Sequence, residues 1–229
     1  MIGVRRGAER FTTTGDGLTT RHSFSFGHHY DASNVTHGVL VAHNDDLVSP
    51  GRGYDPHPHA DLEIVTWVLE GSLVHADSHG HAGVVHPGAV QRLGAGSGVR
   101  HSERNDMGGT PTRFVQMWLT PDEPGLPPAY DLAPVDVLGL TPLASGVPGL
   151  DAAVPLRVAG AALHVARLAP GESVALPDAP RLHVFAARGA VDIEAAGRLE
   201  EGDAARIIDS PGGRVTGVDV CEVLVWQLP

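Results

Sequence analysis

The chain has no lysine: its sixteen basic residues are all arginine, against twenty-seven acidic ones. A formal net charge of -11 leaves no basic face to neutralise phosphates, which argues against direct binding of DNA or RNA. Cysteine is almost absent. The single Cys221 excludes an intrachain disulfide and suits a reducing compartment. It lies in the strand-like run Val-Asp-Val-Cys-Glu-Val-Leu-Val-Trp, where a packed, inert thiol is expected. No apolar run is long enough to cross a bilayer, and the arginines near the start are followed by no apolar segment of signal type. A cytoplasmic location without membrane attachment is the default expectation. Helical periodicity is missing as well.

What the chain does have is short β-branched and aromatic runs separated by turn signals. Val39-Leu-Val-Ala-His, Leu62-Glu-Ile-Val-Thr-Trp-Val-Leu and Arg113-Phe-Val-Gln-Met-Trp-Leu read as strands, and Glu70-Gly71 and Pro87-Gly88 as turns. The 29 glycines and 18 prolines are scattered without a period, which suits many tight turns better than disorder. The expected fold class is all-β, a sandwich or barrel. A Pro/Gly-rich stretch after Pro121 divides the chain. The expected units are residues 1–125, a connector over 126–150, and residues 151–229. The halves read as diverged copies of one unit: Val65-Thr-Trp-Val-Leu-Glu-Gly-Ser-Leu matches Val184-Phe-Ala-Ala-Arg-Gly-Ala-Val in its strand–Gly–strand shape.

Histidine is unevenly distributed. Twelve of fourteen precede residue 102. Two clusters stand out, His57-Pro-His59 and His101-Ser-Glu103. Residues two apart in a strand point to one face, so two such clusters on strands of one barrel can converge three imidazoles and a carboxylate on a single ion. That donor set suits a first-row divalent metal. Pro58 predicts a short or frayed strand, and Gly96 and Gly98 a sharp turn ahead of His101. His79-Gly-His81, with His75 and His86 near it, reads as a solvated hairpin tip, and His28-His29 as a loop at most touching a pocket rim.

The spacing Gly51, His57-Pro-His59, Glu63 resembles the first motif of the cupin superfamily. Within it, Arg21-His-Ser-Phe-Ser-Phe, Asn44-Asp-Asp, Val68-Leu-Glu-Gly, His75-Ala-Asp-Ser and Gly94-Ala-Gly-Ser-Gly-Val-Arg-His-Ser-Glu resemble pirin and the bacterial pirin-like quercetinases. The resemblance implies a bicupin, two small β-barrels of which only the N-terminal one binds metal, through His57, His59, His101 and Glu103. Where many cupins place a later histidine this chain has Gln91, as pirin-like members do. Glu63 is then expected beside an imidazole or on the pocket wall, with Gln116 a further pocket candidate. The metal implied is iron(II), copper, nickel, zinc, manganese and cobalt being compatible with the same donors.

The activity implied is a dioxygenase that opens a flavonol-like or other enediol-type aromatic with O₂ and releases carbon monoxide, with Glu103 as catalytic base. Phe24, Phe26, Trp67 and Trp118 are candidate walls for a flat ring. The alternative implied is a non-catalytic, redox-sensing regulator acting through a protein partner. A monomer is the default expectation.

Overall fold

The computed structural model describes residues 1–106, 109–194, 196–210 and 213–229. These form twenty-two strands and one short 3₁₀ turn, Gly7–Glu9. Each half pairs a seven-stranded sheet with a four-stranded one. In the first half the large sheet runs Ala129–Pro134, Ala89–Gly94, Glu63–Glu70, Thr112–Leu119, Leu40–Val48, Leu18–His22, Phe11–Gly15. Its small sheet runs Gly53–His59, Val99–Arg104, Leu73–Asp77, Ala82–Val85. The second half repeats the plan, with a small sheet ordered Ser173–Ala175, Arg214–Gly217, Val191–Ile193, Gly197–Leu199. The two-barrel, all-β arrangement is the one the sequence pattern implies.

The ends of the units depart from the expected boundaries. Ile2–Arg5 pairs with Ala204–Ser210 and so completes the second large sheet. Residues 126–150, expected as a connector, carry Ala129–Pro134 on the first large sheet and Thr141–Ser145 on the second. The chain crosses between halves in the few residues separating those strands. Composition could not show this: Ala129–Pro134 is an edge strand, and Thr141–Ser145 is flanked on its outer side only by the two-residue Val154–Pro155, positions that tolerate the Pro and Gly content of a linker.

The two large sheets pack face to face. The strand Glu63–Glu70 is buried along both faces, which explains why it reads as a continuous apolar run. Its odd positions Val65, Trp67 and Leu69 join Val115, Met117 and Leu119 against Leu163, Phe185, Leu224 and Trp226 of the second half. Its even positions Ile64 and Val68 turn into the first barrel. The Trp67 indole is matched at this interface: its Nε1 donates to Glu222 Oε1 (2.7 Å), and Arg167 donates to the other carboxylate oxygen (2.6 Å). The second barrel's interior is apolar, lined by Val184, Val191, Val215, Val223 and their neighbours. Cys221 is buried there, and burial raises its thiol pKa, as a structural cysteine requires.

Two turns depend on glycine. Gly71, with φ +72°, carries the chain from Glu63–Glu70 in the large sheet to Leu73–Asp77 in the small one, two strands that do not pair with each other, and a Cβ there would meet Thr112 Oγ1 at 2.7 Å. Gly96, with φ +47°, lets the Leu126 carbonyl approach to within 1.9 Å of where a Cβ would stand. That contact ties the turn ahead of His101 to the segment leading out of the barrel.

His43 and His183 lie fully buried between the halves, with ring centroids 4.7 Å apart. His43 Nε2 and both nitrogens of His183 have no hydrogen-bond partner. Desolvation, reinforced by neighbouring arginines, holds both rings well below the ordinary histidine pKa of 6.5. Below that pH the unfolded chain binds more protons than the folded one, so stability present above 6.5 is lost as pH falls. The melting temperature should drop between about pH 7 and pH 5, and His183→Leu should flatten that drop; calorimetry across the range measures both.

Candidate metal centre

Gly53–His59 is the outer strand of its sheet and pairs with Val99–Arg104, placing His57 directly opposite His101 and His59 opposite Val99. The edge position accommodates Pro58, whose side chain faces solvent while His57 and His59 turn inward. A register shift follows between His101 and Glu103, so that Glu103 faces Tyr54. The ring centroids of His57, His59 and His101 lie 4.5–5.0 Å apart, and their nearest ligand atoms fall within 4.8 Å of one another. Glu103 Oε2 is 4.0 Å from His101 Nε2. Two groups of possible donors share His101: His57, His59 and His101 form one, and His75, His101 and Glu103 the other, the ligand atoms of each lying within 4.8 Å of one another.

The unpaired atoms identify what this cluster can do. His59 Nε2, His101 Nε2 and Glu103 Oε1 are buried and have no hydrogen-bond partner. His57 Nδ1–H donates to the Asp55 carbonyl at 2.8 Å, leaving its Nε2 lone pair free. Burial, then repulsion from neighbouring imidazoles, lowers His59 to about 4 and His101 to about 3. These rings are therefore neutral near pH 7, the form that ligates a cation. Burial pushes the Glu103 carboxyl above its usual range, against the effect of the Gln116 Nε2–H bond to Oε2 (2.7 Å). Neutral imidazoles with free lone pairs beside a buried carboxylate are the donor chemistry that suits a divalent cation.

A cavity of about 300 Å³ opens over the cluster. His57, His59 and Glu103 form its floor. Phe26 and Trp118, edge to face at 5.1 Å, form one wall. Gln116, expected only as a pocket candidate, lines the cavity and joins Trp118 Nε1 to Glu103. The opposite wall is polar, and sequence reading missed it. Tyr54 Oη and Thr20 Oγ1 both donate to Asp46 Oδ1 and lie 2.9 Å from each other. Desolvation, with the nearby Asp45 and Glu103 charges, raises Asp46 to about 7 despite those two bonds.

Several expectations need correcting. Phe24 and Trp67 do not line the cavity: both sit in the core between the halves. Phe24 follows the strand Leu18–His22 in a bend, with the same parity as the cavity-lining His22 and Phe26, so periodicity could not have separated it from them. Glu63 orients no imidazole; it accepts two bonds from Arg92 (2.6 and 2.7 Å) and one from the Arg157 backbone, which ties the first barrel to the second half. His79 and His86 are exposed, as a hairpin tip requires, but His75 is fully buried against His101 and belongs to the centre. His28 reaches the cavity rim, and His29 instead stacks on Phe11.

The repeat locates the chemistry in one half. Val215 pairs with Val174 and Ile193 as His101 pairs with His57 and Asp77. The same register sets Leu176 against His59, Gly217 against Glu103 and Val191 against His75. Every donor position in the second barrel is thus apolar or glycine.

This is a bicupin, and among the described residues its groups of possible metal donors lie in the first barrel. The Pirin family model matches residues 4–119. A Mycobacterium tuberculosis protein named "Putative quercetin 2,3-dioxygenase" is 48% identical over 231 residues, covering 99% of this chain and 95% of its own. An Escherichia coli protein named quercetin 2,3-dioxygenase is 39% identical over 131 residues, 57% of each chain. The crystal structure of the Escherichia coli pirin YhhW in complex with nickel(II) superposes with a TM-score of 0.93 at 30% identity, covering 100% and 99% of the two chains. The chain belongs to the pirin family.

Asp46 provides a test of the cavity's electrostatics. Its pKa is raised on folding, so its contribution to stability is full below the ordinary 3.8 and is lost as pH rises through about 7. In metal-free protein, Asp46→Asn should gain thermal stability relative to the parent as pH rises from about 4 to 8, as measured by melting curves at matched ionic strength.

Proposed function

We propose that the protein is an iron(II)-dependent dioxygenase of the pirin-like quercetinase type, acting on a flavonol or a similar enediol-bearing aromatic. The observation that carries this reading is the set of orphaned donor atoms on His59, His101 and Glu103, of which His59 and Glu103 line a cavity with one aromatic and one polar wall. His57, His59, His101 and Glu103 would hold the ion, leaving coordination positions open toward the cavity. A bound divalent ion would supply Lewis acidity to the substrate's acidic hydroxyl and a redox-active partner for O₂.

The chain's own residues supply the rest. Phe26 and Trp118 hold a planar ring against one wall and restrict water. Glu103 accepts the proton of the acidic hydroxyl at Oε1 by swinging partly off the ion, while Gln116 keeps Oε2 engaged. Its burial raises its basicity above that of an ordinary carboxylate. Tyr54 and Thr20, fixed by Asp46, present hydroxyls to the polar edge of the substrate.

Purified protein should contain about one divalent ion per chain and consume quercetin in air but not under argon, with carbon monoxide released. His101→Ala should lose the ion and lower turnover by more than about 100-fold, since even residues behind a ligand contribute 10–100-fold. Glu103→Gln should keep partial metal content and lose turnover. A fully metallated protein inert in every metal form would overturn the enzymatic reading and favour a regulator acting through a protein partner.

A further inference from the structure

We propose that Asp77 and His75 are positioning residues that fix the tautomer of His101 through a carboxylate–imidazole–imidazole relay. The inference rests on His101 being a metal donor, and on nothing about the substrate.

The chain of contacts leaves one consistent arrangement of hydrogens. Asp77 is ionised and can only accept. Its Oδ2 lies 3.5 Å from His75 Nε2 and 2.9 Å from His81 Nδ1, so both nitrogens carry hydrogen. A neutral His75 protonated at Nε2 has its lone pair at Nδ1. That atom faces His101 Nδ1 at 3.4 Å, and the pair is tolerable only if His101 Nδ1 is the donor. The lone pair of His101 is thereby placed on Nε2, the buried nitrogen without a partner. At 3.4 and 3.5 Å the two inner contacts are long, and they act by electrostatic orientation more than by bond strength.

Three further features hold the relay in place. The Asp77 side chain is 1% exposed, and its Oδ1 accepts the backbone N–H of His79 (2.8 Å) and of His81 (3.0 Å), so the carboxylate cannot rotate away. Tyr130 stacks on His75 at 4.7 Å and on His81 at 5.5 Å, with interplanar angles of 19° and 18°. Sheet register fixes the partners directly, His101 facing Asp77 and Glu103 facing His75. In the second barrel Ile193 and Val191 occupy those two places. The relay is absent where the donors are absent, which ties it to the donor cluster and not to the fold.

Two measurements test this. The first is the long-range ¹H–¹⁵N spectrum of the metal-free protein, which reports each histidine's tautomer: His101 should carry its hydrogen on Nδ1 and His75 on Nε2. The second uses Asp77→Asn, which can still accept the two backbone bonds but turns an N–H toward His75. Its nickel(II) affinity, measured by chelator competition, should fall 10–100-fold at unchanged stoichiometry, with an altered cobalt(II) absorption spectrum. His81→Ala, which leaves Asp77 and His75 in place, should stay within about threefold of the parent. A His101 protonated on Nε2, or an Asp77→Asn protein with parental affinity and cobalt spectrum, would overturn the relay. If Asp77→Asn does not fold, the parental tautomer spectrum decides alone. Parental nickel affinity in His101→Ala would show instead that the ligand reading itself is wrong.

Discussion

The register between Gly53–His59 and Val99–Arg104 is the constraint on which the centre depends. It sets His57 opposite His101, and the strand period of two then places His59 and Glu103 on the same inward face. A slip of one residue would turn Pro58 and Ser102 inward and expose every donor. The neighbouring pairing with Leu73–Asp77 is held to the same standard, because it aligns Asp77 and His75 behind the donors. Gly96 and the close approach of Leu126 secure the turn that starts this central strand. Buried polar atoms without partners are costly, and the fold concentrates several of them in the first barrel, on side chains whose donor chemistry suits a divalent cation.

The second barrel acts as an internal control. It has the same sheet order and equivalent pairings, yet its interior is filled by Val174, Leu176, Val191, Val215 and their neighbours. Its stability therefore needs no ion, and it provides the apolar face on which the first large sheet packs. Trp67, bound to Glu222 and covered by Arg167, shows how far that packing has claimed aromatic residues that could have served the cavity. Phe26 and Trp118 line the cavity, whereas Phe24 and Trp67 are buried in the core between the halves.

Much of this was legible beforehand because it depends on local spacing. The all-β class, the duplication, the glycine turns and the four donors follow from periods of two and from turn chemistry. Asp46 was hidden within Asn44-Asp-Asp, where nothing local distinguishes a carboxylate pairing with Arg113 from one buried beside Tyr54. His75 was hidden by proximity to a real hairpin tip: His79 and His81 lie on the turn, while His75 lies on the strand that feeds it. The long-range pairing of Ile2–Arg5 with the second half had no local signal at all.

By itself, then, the sequence determined which side chains could share a face, since parity along a strand is a covalent property of the chain. It also determined that one half carries donors and the other does not. Only the tertiary structure decided which faces meet. Cross-strand register selects the partners of each residue, and barrel closure decides whether a carboxylate such as Asp46, Asp77 or Glu63 ends beside the donors, behind them or against an arginine such as Arg92. Those outcomes depend on contacts between segments distant in the chain, which no local pattern encodes.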